Sequence, residues 1–570
     1  MFRRTTICLS LTLLVLSACG TTQKPSPVAD KDDEKQTEQV AQKPESAEQK
    51  SDDAVLHKLV EAAEAEVAAP SLRKSAAGGR LMSLTAAAPD AFEPPVQHNT
   101  EEYDLIRDNT FRTVKDNPLS TFSIDVDAAS YANARRFINQ GQLPYKDAVR
   151  IEEFINYFSY DYEAPAGEDP FSIKTEISQA PWAKEHRLLH VGLQGKKLNY
   201  DEIKPSNLVF LLDVSGSMEA ANKLPLLKSA FKILLKNLDK KDRVAIVTYA
   251  GAAGLVLPST PATEKEKIVT ALDNLTAGGS TAGGEGIALA YKVAQENLLQ
   301  DGNNRVILAT DGDFNVGVSS TSELIRMIEA RRDDGIFLTI CGFGMGNYKD
   351  GRMESISNAG NGNYFYIDDI MEAEKVFARE LRATLFTIAK DVKIQIEFNP
   401  ASVQAYRLIG YENRMLKSED FNDDKKDAGE LGAGHTVTAL YEIIPNGVKS
   451  EFIRKVDELK YQNQGNARTT HTDEVATIKL RYKKPKEDTS RLISGTIKDD
   501  DRQLEKTSDD FRFSAAVAAF GMLLRESEFK GDASYEQVLE LADEAKGTDE
   551  GGYRAEFVRL VKKASLIATN

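Results

Sequence analysis

Cysteine, tryptophan and histidine are scarce in this chain, which holds three, one and six of them in 570 residues. The cysteines stand at positions 8, 19 and 341; the first falls in an N-terminal leader and the second directly follows it, where it is expected to be modified. Cys341 is thereby left without a partner, which excludes a disulfide-stapled fold. It closes the apolar segment 336–341, where a buried and inert thiol is expected. His57, His98, His186, His190, His435 and His471 are scattered, which argues against a zinc site. Basic charge is also short: 72 Lys and Arg against 88 Asp and Glu give a formal net charge of −16. A protein that neutralises phosphates needs a basic face, so no nucleic-acid partner is expected. Long apolar runs are missing as well. The N-terminal stretch 7–16 is too short to span a bilayer as a helix and nothing downstream reads as a span, so a helical channel is excluded.

What remains is ordinary globular material, 41% hydrophobic and 28% charged, preceded by a targeting signal. Arg3, Arg4, the apolar stretch 7–16 and the small residues before Cys19 have the layout of a secretory signal over 1–18. Leu16-Ser17-Ala18-Cys19 resembles a bacterial lipobox, which implies cleavage before Cys19 and attachment of fatty acyl chains such as palmitate to that cysteine. It further implies a lipid-anchored protein of the bacterial cell envelope. Gly20-Thr21 in place of an Asp after the cysteine points to the outer membrane, facing the periplasm. Residues 19–97, rich in Lys, Asp, Glu, Gln, Pro and Ala, bury too little surface to order themselves and are expected as a disordered tether.

Three folded units are expected beyond the tether. The first, 98–200, is an α+β module with helical patterns at 128–139 and 148–158 and an aromatic density that has to pack against something larger. The second, 201–390, alternates strands at 208–212, 243–248, 255–257, 306–310, 336–341 and 364–367 with helices at 224–238, 264–275, 286–299, 322–332, 353–359 and 371–388. That rhythm predicts an α/β fold, a doubly wound, mostly parallel Rossmann-like sheet. The third, 391–570, runs from a small antiparallel β unit, with strands at 392–398, 436–444 and 475–482, into helices at 511–527, 535–545 and 553–568.

The chemistry gathers at the strand mouths of the central unit. Asp213-Val214-Ser215-Gly216-Ser217 follows the apolar run 208–212, and alternation turns the oxygens of Asp213, Ser215 and Ser217 toward a common point. Ligands of open α/β sheets bind at such carboxyl ends. Oxygen donors without His or Cys favour magnesium, calcium or manganese over zinc. Two further segments join them: Gly278-Gly279-Ser280-Thr281-Ala282-Gly283-Gly284 before a helix, and Asp311-Gly312-Asp313 after the strand 306–310. Each alone reads as an ordinary cap or turn. In this order on this rhythm they resemble the metal-ion-dependent adhesion site of the von Willebrand factor type A domain. Asp213, Ser215, Ser217, Thr281 and Asp311 are the matching positions. The resemblance implies a bound divalent cation, magnesium first and calcium or manganese second, with one position open to an acidic group of a partner. Glu285 and Asp313 read as solvated turn residues.

The likeness extends outward. Leu119 through Asp127, then Ser130-Tyr131-Ala132-Asn133 and Arg150-Ile151-Glu152-Glu153, resemble the N-terminal module of YfbK-type bacterial lipoproteins, and 509–523 is similar to their C-terminal module. Asp127 before Ala128-Ala129 reads as a helix cap.

The function expected on these grounds is that of a monomeric, membrane-tethered binding protein that captures an Asp or Glu of a protein partner through its cation. It is not expected to be an enzyme, because Ser215 lacks both a Gly-x-Ser-x-Gly elbow and a histidine placed by motif. Two alternatives stand beside it. One is an envelope scaffold whose cation is structural; the other is a magnesium-dependent phosphoryl-transfer enzyme with Asp213 as nucleophile, although Ser215 stands where a second carboxylate is normally wanted.

Overall fold

The computed structural model describes residues 100–124, 127–198, 204–280, 283–312, 314, 321–380, 385–453 and 473–569. The expected signal, Cys19 and the tether lie outside the described residues, as do Asp125, Thr281 and Asp313.

Strand β1, Ser206–Asp213, is buried at every residue, as an apolar run needs when strands flank it on both sides and helices cover both faces. After it come α1 (Leu224–Asn237), β2 (Arg243–Tyr249), β3 (Ala253–Pro261), α2 (Lys265–Asp273), α3 (Gly283–Glu296) and β4 (Asn303–Thr310). The domain continues with α4 (Thr321–Asp333), β5 (Ile336–Phe343), α5 (Asp350–Ala359), β6 (Tyr364–Ile367) and α6 (Ile370–Glu374). The sheet runs β6-β5-β4-β1-β2-β3, parallel except for β3, which returns antiparallel along β2 at the edge. This is the doubly wound α/β architecture the alternation predicts. Phe210 meets Phe231 of α1 edge to face at 4.4 Å, while Leu211 and Tyr249 share a core with Ile287, Ala290 and Tyr291 of α3 on the other face.

The helix expected over 371–388 is shorter. It ends as α6, passes into a π turn at Lys375–Glu380, and by Thr387 the chain is in a strand, Thr387–Phe398. Asp127 caps no helix. The N-cap of Ala129–Asn139 is Ala128, without a side-chain bond. The carboxylate of Glu153 instead accepts from the Ser130 N–H at 2.8 Å, and Asp127 accepts from the Tyr364 N–H at 2.9 Å.

The segments before and after the central domain fold into common sheets. Val403–Ile409 and Thr436–Pro445 lie in one sheet with Arg112–Thr113, Ala183–Gly195 and Phe171–Ala180. In a second, Thr387–Phe398 pairs Leu119–Ser123 on one side and Ala476–Lys483 on the other. The aromatic residues of the first segment are buried against the last helices: Phe158 meets Phe513 at 4.9 Å and Phe557 at 5.6 Å. His186 and His190 share the strand Ala183–Gly195 without forming a ligand pair: His186 bonds Glu442 at 2.6 Å and His190 bonds Tyr162 at 2.9 Å. Cys341 is buried and free, and burial pushes its thiol pKa up, as an inert thiol requires. Among the described residues no helix is long and apolar enough to cross a membrane.

Candidate metal centre

Register brings the site together. Leu212 of β1 stands opposite Ala309 of β4, and Asp213 opposite Tyr249 of β2, so β1 delivers Asp213 between the ends of its two neighbours. One Asp213 carboxylate oxygen accepts the Ser215 N–H at 2.9 Å; the other accepts the hydroxyls of Tyr249 at 3.1 Å and Thr310 at 3.3 Å. The chain then turns through a 3₁₀ segment, Gly216–Glu219, which sets the Ser215 and Ser217 hydroxyl oxygens 3.0 Å apart. Asp213 and Asp311 are fully buried and Ser215 nearly so, whereas Ser217 is exposed at the rim.

The second segment is pinned to the first by the backbone: Gly216 N–H donates to Gly279 O at 3.1 Å and Gly278 N–H to Val214 O at 2.8 Å. Ser280 therefore lies beside the Ser215-Ser217 loop, and Thr281 is the next residue, outside the described ones. The third segment leaves β4 at Asp311. Gly312 adopts φ +97°, and a Cβ there would lie 2.7 Å from Tyr348 Cα, so the turn requires glycine.

Residues that the sequence did not point to add to the surroundings. Tyr249 and Thr310 orient Asp213. Lys223 donates from Nζ to Asp311 Oδ2 at 2.9 Å. Thr310 directly precedes a predicted ligand and was findable on that ground. Lys223, one residue before a helix, has the local signature of a solvated charge.

Burial pushes the Asp213 carboxyl up to about 6, with the Asp311 charge adding to it and the bonds from Ser215 and Tyr249 opposing it. Burial acts on Asp311 in the same direction, but the Ser217 hydroxyl, Lys223 and Asn347 outweigh it and hold this carboxyl below its ordinary value. The donor set fits a hard cation. Neighbouring ligands of an octahedral magnesium, at bonds of about 2.0–2.1 Å, stand roughly 2.9 Å apart, which matches the 3.0 Å between the two serine oxygens. Among the described residues no group of three or more His, Cys, Asp or Glu side chains is placed to hold a metal ion, so a cation here would depend on hydroxyls as much as on carboxylates.

Helix α3 crosses β1 and β2 at Gly286, where a Cβ would lie 2.8 Å from Tyr249 Cβ and 3.2 Å from Leu211 Cδ1. Gly286→Ala is expected to cost about 1–3 kcal/mol through overpacking. It should also displace the Tyr249 hydroxyl from Asp213, so both the urea midpoint and the magnesium affinity fall. A lowered midpoint with full magnesium affinity would show that Tyr249 does not support the site.

Comparison with known proteins places the chain in a family. The family profile of the von Willebrand factor type A domain matches residues 207–379, a von Willebrand factor profile matches 97–190, and the C-terminal profile of the uncharacterized protein YfbK matches 383–567. The central unit is thus a von Willebrand factor type A domain. Uncharacterized protein YfbK of Escherichia coli (strain K12) is 45% identical over 473 residues, covering 82% of this chain and 81% of that protein. The chain belongs to the YfbK family of von Willebrand factor type A domain proteins. More distantly, the magnesium-chelatase 67 kDa subunit of Chlorobaculum tepidum is 26% identical over 234 residues, which span 37% of its length. A solved von Willebrand factor type A protein from Catenulispora acidiphila is 17% identical, covering 70% of this chain and 91% of its own, with a TM-score of 0.38.

Proposed function

We propose that this protein is a binding protein of the bacterial cell envelope, held to a membrane by lipid on Cys19, that captures an acidic side chain of a protein partner through a divalent cation. Magnesium is the preferred ion, held by Asp213, Ser215, Ser217, Thr281 and Asp311. The observation that carries the reading is the pair of hydroxyls 3.0 Å apart, Ser215 buried and Ser217 exposed at the rim, next to the buried carboxylate of Asp213. This arrangement places few protein charges around the ion. An ion so held stays electrophilic and keeps water or an outside ligand, so an Asp or Glu of a partner gains a charge-assisted contact. The reading is non-enzymatic: cation and hydroxyls bind, and no bond is made or broken.

The test is recovery of envelope proteins on the immobilised full chain, with magnesium or with chelator, for the wild type and Asp213→Ala. A partner retained only by the wild type with magnesium is expected. Recovery that ignores both the substitution and the chelator would overturn the proposal. A lower melting temperature with partners intact would instead make the cation structural. Magnesium-dependent turnover of a phosphate ester that disappears in the variant would make the protein an enzyme.

A further inference from the structure

Lys223 stands where a lysine is poorly placed. It is the N-cap of α1, at the positive end of the helix dipole, where Ser, Thr, Asp and Asn are favoured and a cation is repelled. It is also 92% buried, with only 8% of its surface exposed. Two features make room for it. Its ammonium is paired with Asp311 at 2.9 Å. Its stem lies against Gly344, where a Cβ would come within 2.3 Å of Lys223 Cε and 2.6 Å of Cγ. Gly344 closely follows β5, and Asn347 of the same loop bonds Asp311, so lysine, glycine and carboxylate form one fitted arrangement.

We propose that Lys223 is a tethered cation that sets the charge of the metal centre, weakening its hold on the divalent ion and strengthening its hold on an anionic ligand. The inference rests on the proposed cation site. The buried charges explain the trade. Asp213 and Asp311 together carry two negative charges, which a divalent ion alone would cancel to zero. With Lys223 present, the loaded centre has a net positive charge and attracts a carboxylate. The same ammonium, on an oxygen of Asp311, repels the incoming ion across a short, poorly screened distance.

The experiment is a manganese titration of the full chain, followed by the electron paramagnetic resonance of the free ion, with and without acetate as the carboxylate probe. Lys223→Met keeps the stem's bulk against Gly344 and removes the charge, Lys223→Gln tests the same loss in a polar form, and Lys223→Arg keeps the charge. Met and Gln are expected to tighten manganese by about tenfold or more, with Arg close to the wild type. Acetate should tighten manganese in the wild type and Arg variant and do so less in Met and Gln. Unchanged or weaker manganese binding in both uncharged variants, with the wild type binding normally, overturns the inference and leaves the cation site standing. If the wild type and every variant leave manganese free, the cation site falls with it.

Discussion

Asp213→Asn is expected to stabilise the metal-free protein at neutral pH and to abolish its stabilisation by magnesium. The carboxyl is fully buried and its pKa is pushed from 3.8 to about 6. A group whose folded pKa is raised contributes stability that is fully present below its unfolded pKa and lost as pH rises through the folded one. At pH 7 the ionised Asp213 therefore burdens the metal-free fold by roughly 2–3 kcal/mol, at about 1.4 kcal/mol for each unit. Asparagine escapes this, because the Ser215 N–H can still donate to its carbonyl oxygen, and the Tyr249 and Thr310 hydroxyls can accept from its amide. With chelator, the variant should melt above the wild type at about pH 7, and the gap should close by about pH 4. With magnesium the order should reverse, since the ion needs the ionised carboxylate, and wild-type affinity should weaken as pH falls through about 6. Thermal melts across that range check each limb. A variant less stable than the wild type in chelator at neutral pH would contradict the account of Asp213.

The second large effect lies away from the metal. Arg135→Met is expected to cost about 3–5 kcal/mol, the penalty for leaving buried charges without their partner. Arg135 is 3% exposed and donates to Asp368 at 2.9 Å, Glu372 at 2.7 Å, Glu556 at 3.2 Å and the Tyr157 hydroxyl at 2.9 Å. Asp368 and Glu372 flank the start of α6, and Glu556 belongs to the last helix, Tyr553–Ala568. One guanidinium thus joins the first segment, the type A domain and the C-terminal helices. Burial already holds the Asp368 and Glu556 carboxyls above their ordinary values. Without Arg135 they rise further, so the variant should regain part of its loss as the pH is lowered and these groups take up protons. Urea midpoints at neutral and mildly acid pH check this. A loss below about 1 kcal/mol would place the cluster with the weak surface pairs.

Which of these features the sequence announces depends on how local their causes are. The run 208–212 with Asp213, Ser215 and Ser217 behind it is a local pattern, and it became a buried strand with its oxygens gathered at one mouth. The last helix, Tyr553–Ala568, was legible to the residue because its apolar spacing and the glycines before it agree. The end of α6 was not legible. Leu385-Phe386-Thr387-Ile388 is of ambiguous period, and the pairing of Thr387 with Gly432, far along the chain, starts a strand at Thr387. Sharing of sheets between the flanks was hidden for the same reason: Leu119–Ser123 finds its partner more than 260 residues away, in Thr387–Phe398. At Asp127 tertiary context overrode a local cap signal, because β6 presents the Tyr364 N–H to it. Lys223 was invisible in sequence because its meaning comes from Asp311, which folding brings beside it.

The most direct test of the central claim is the anomalous diffraction of crystals grown with manganese. One strong peak is expected, bonded to the hydroxyls of Ser215 and Ser217, beside Asp213 and Asp311, with water or a neighbouring carboxylate in the outward position. Crystals diffracting well with no anomalous peak at those hydroxyls, or with manganese bound only elsewhere, would contradict it.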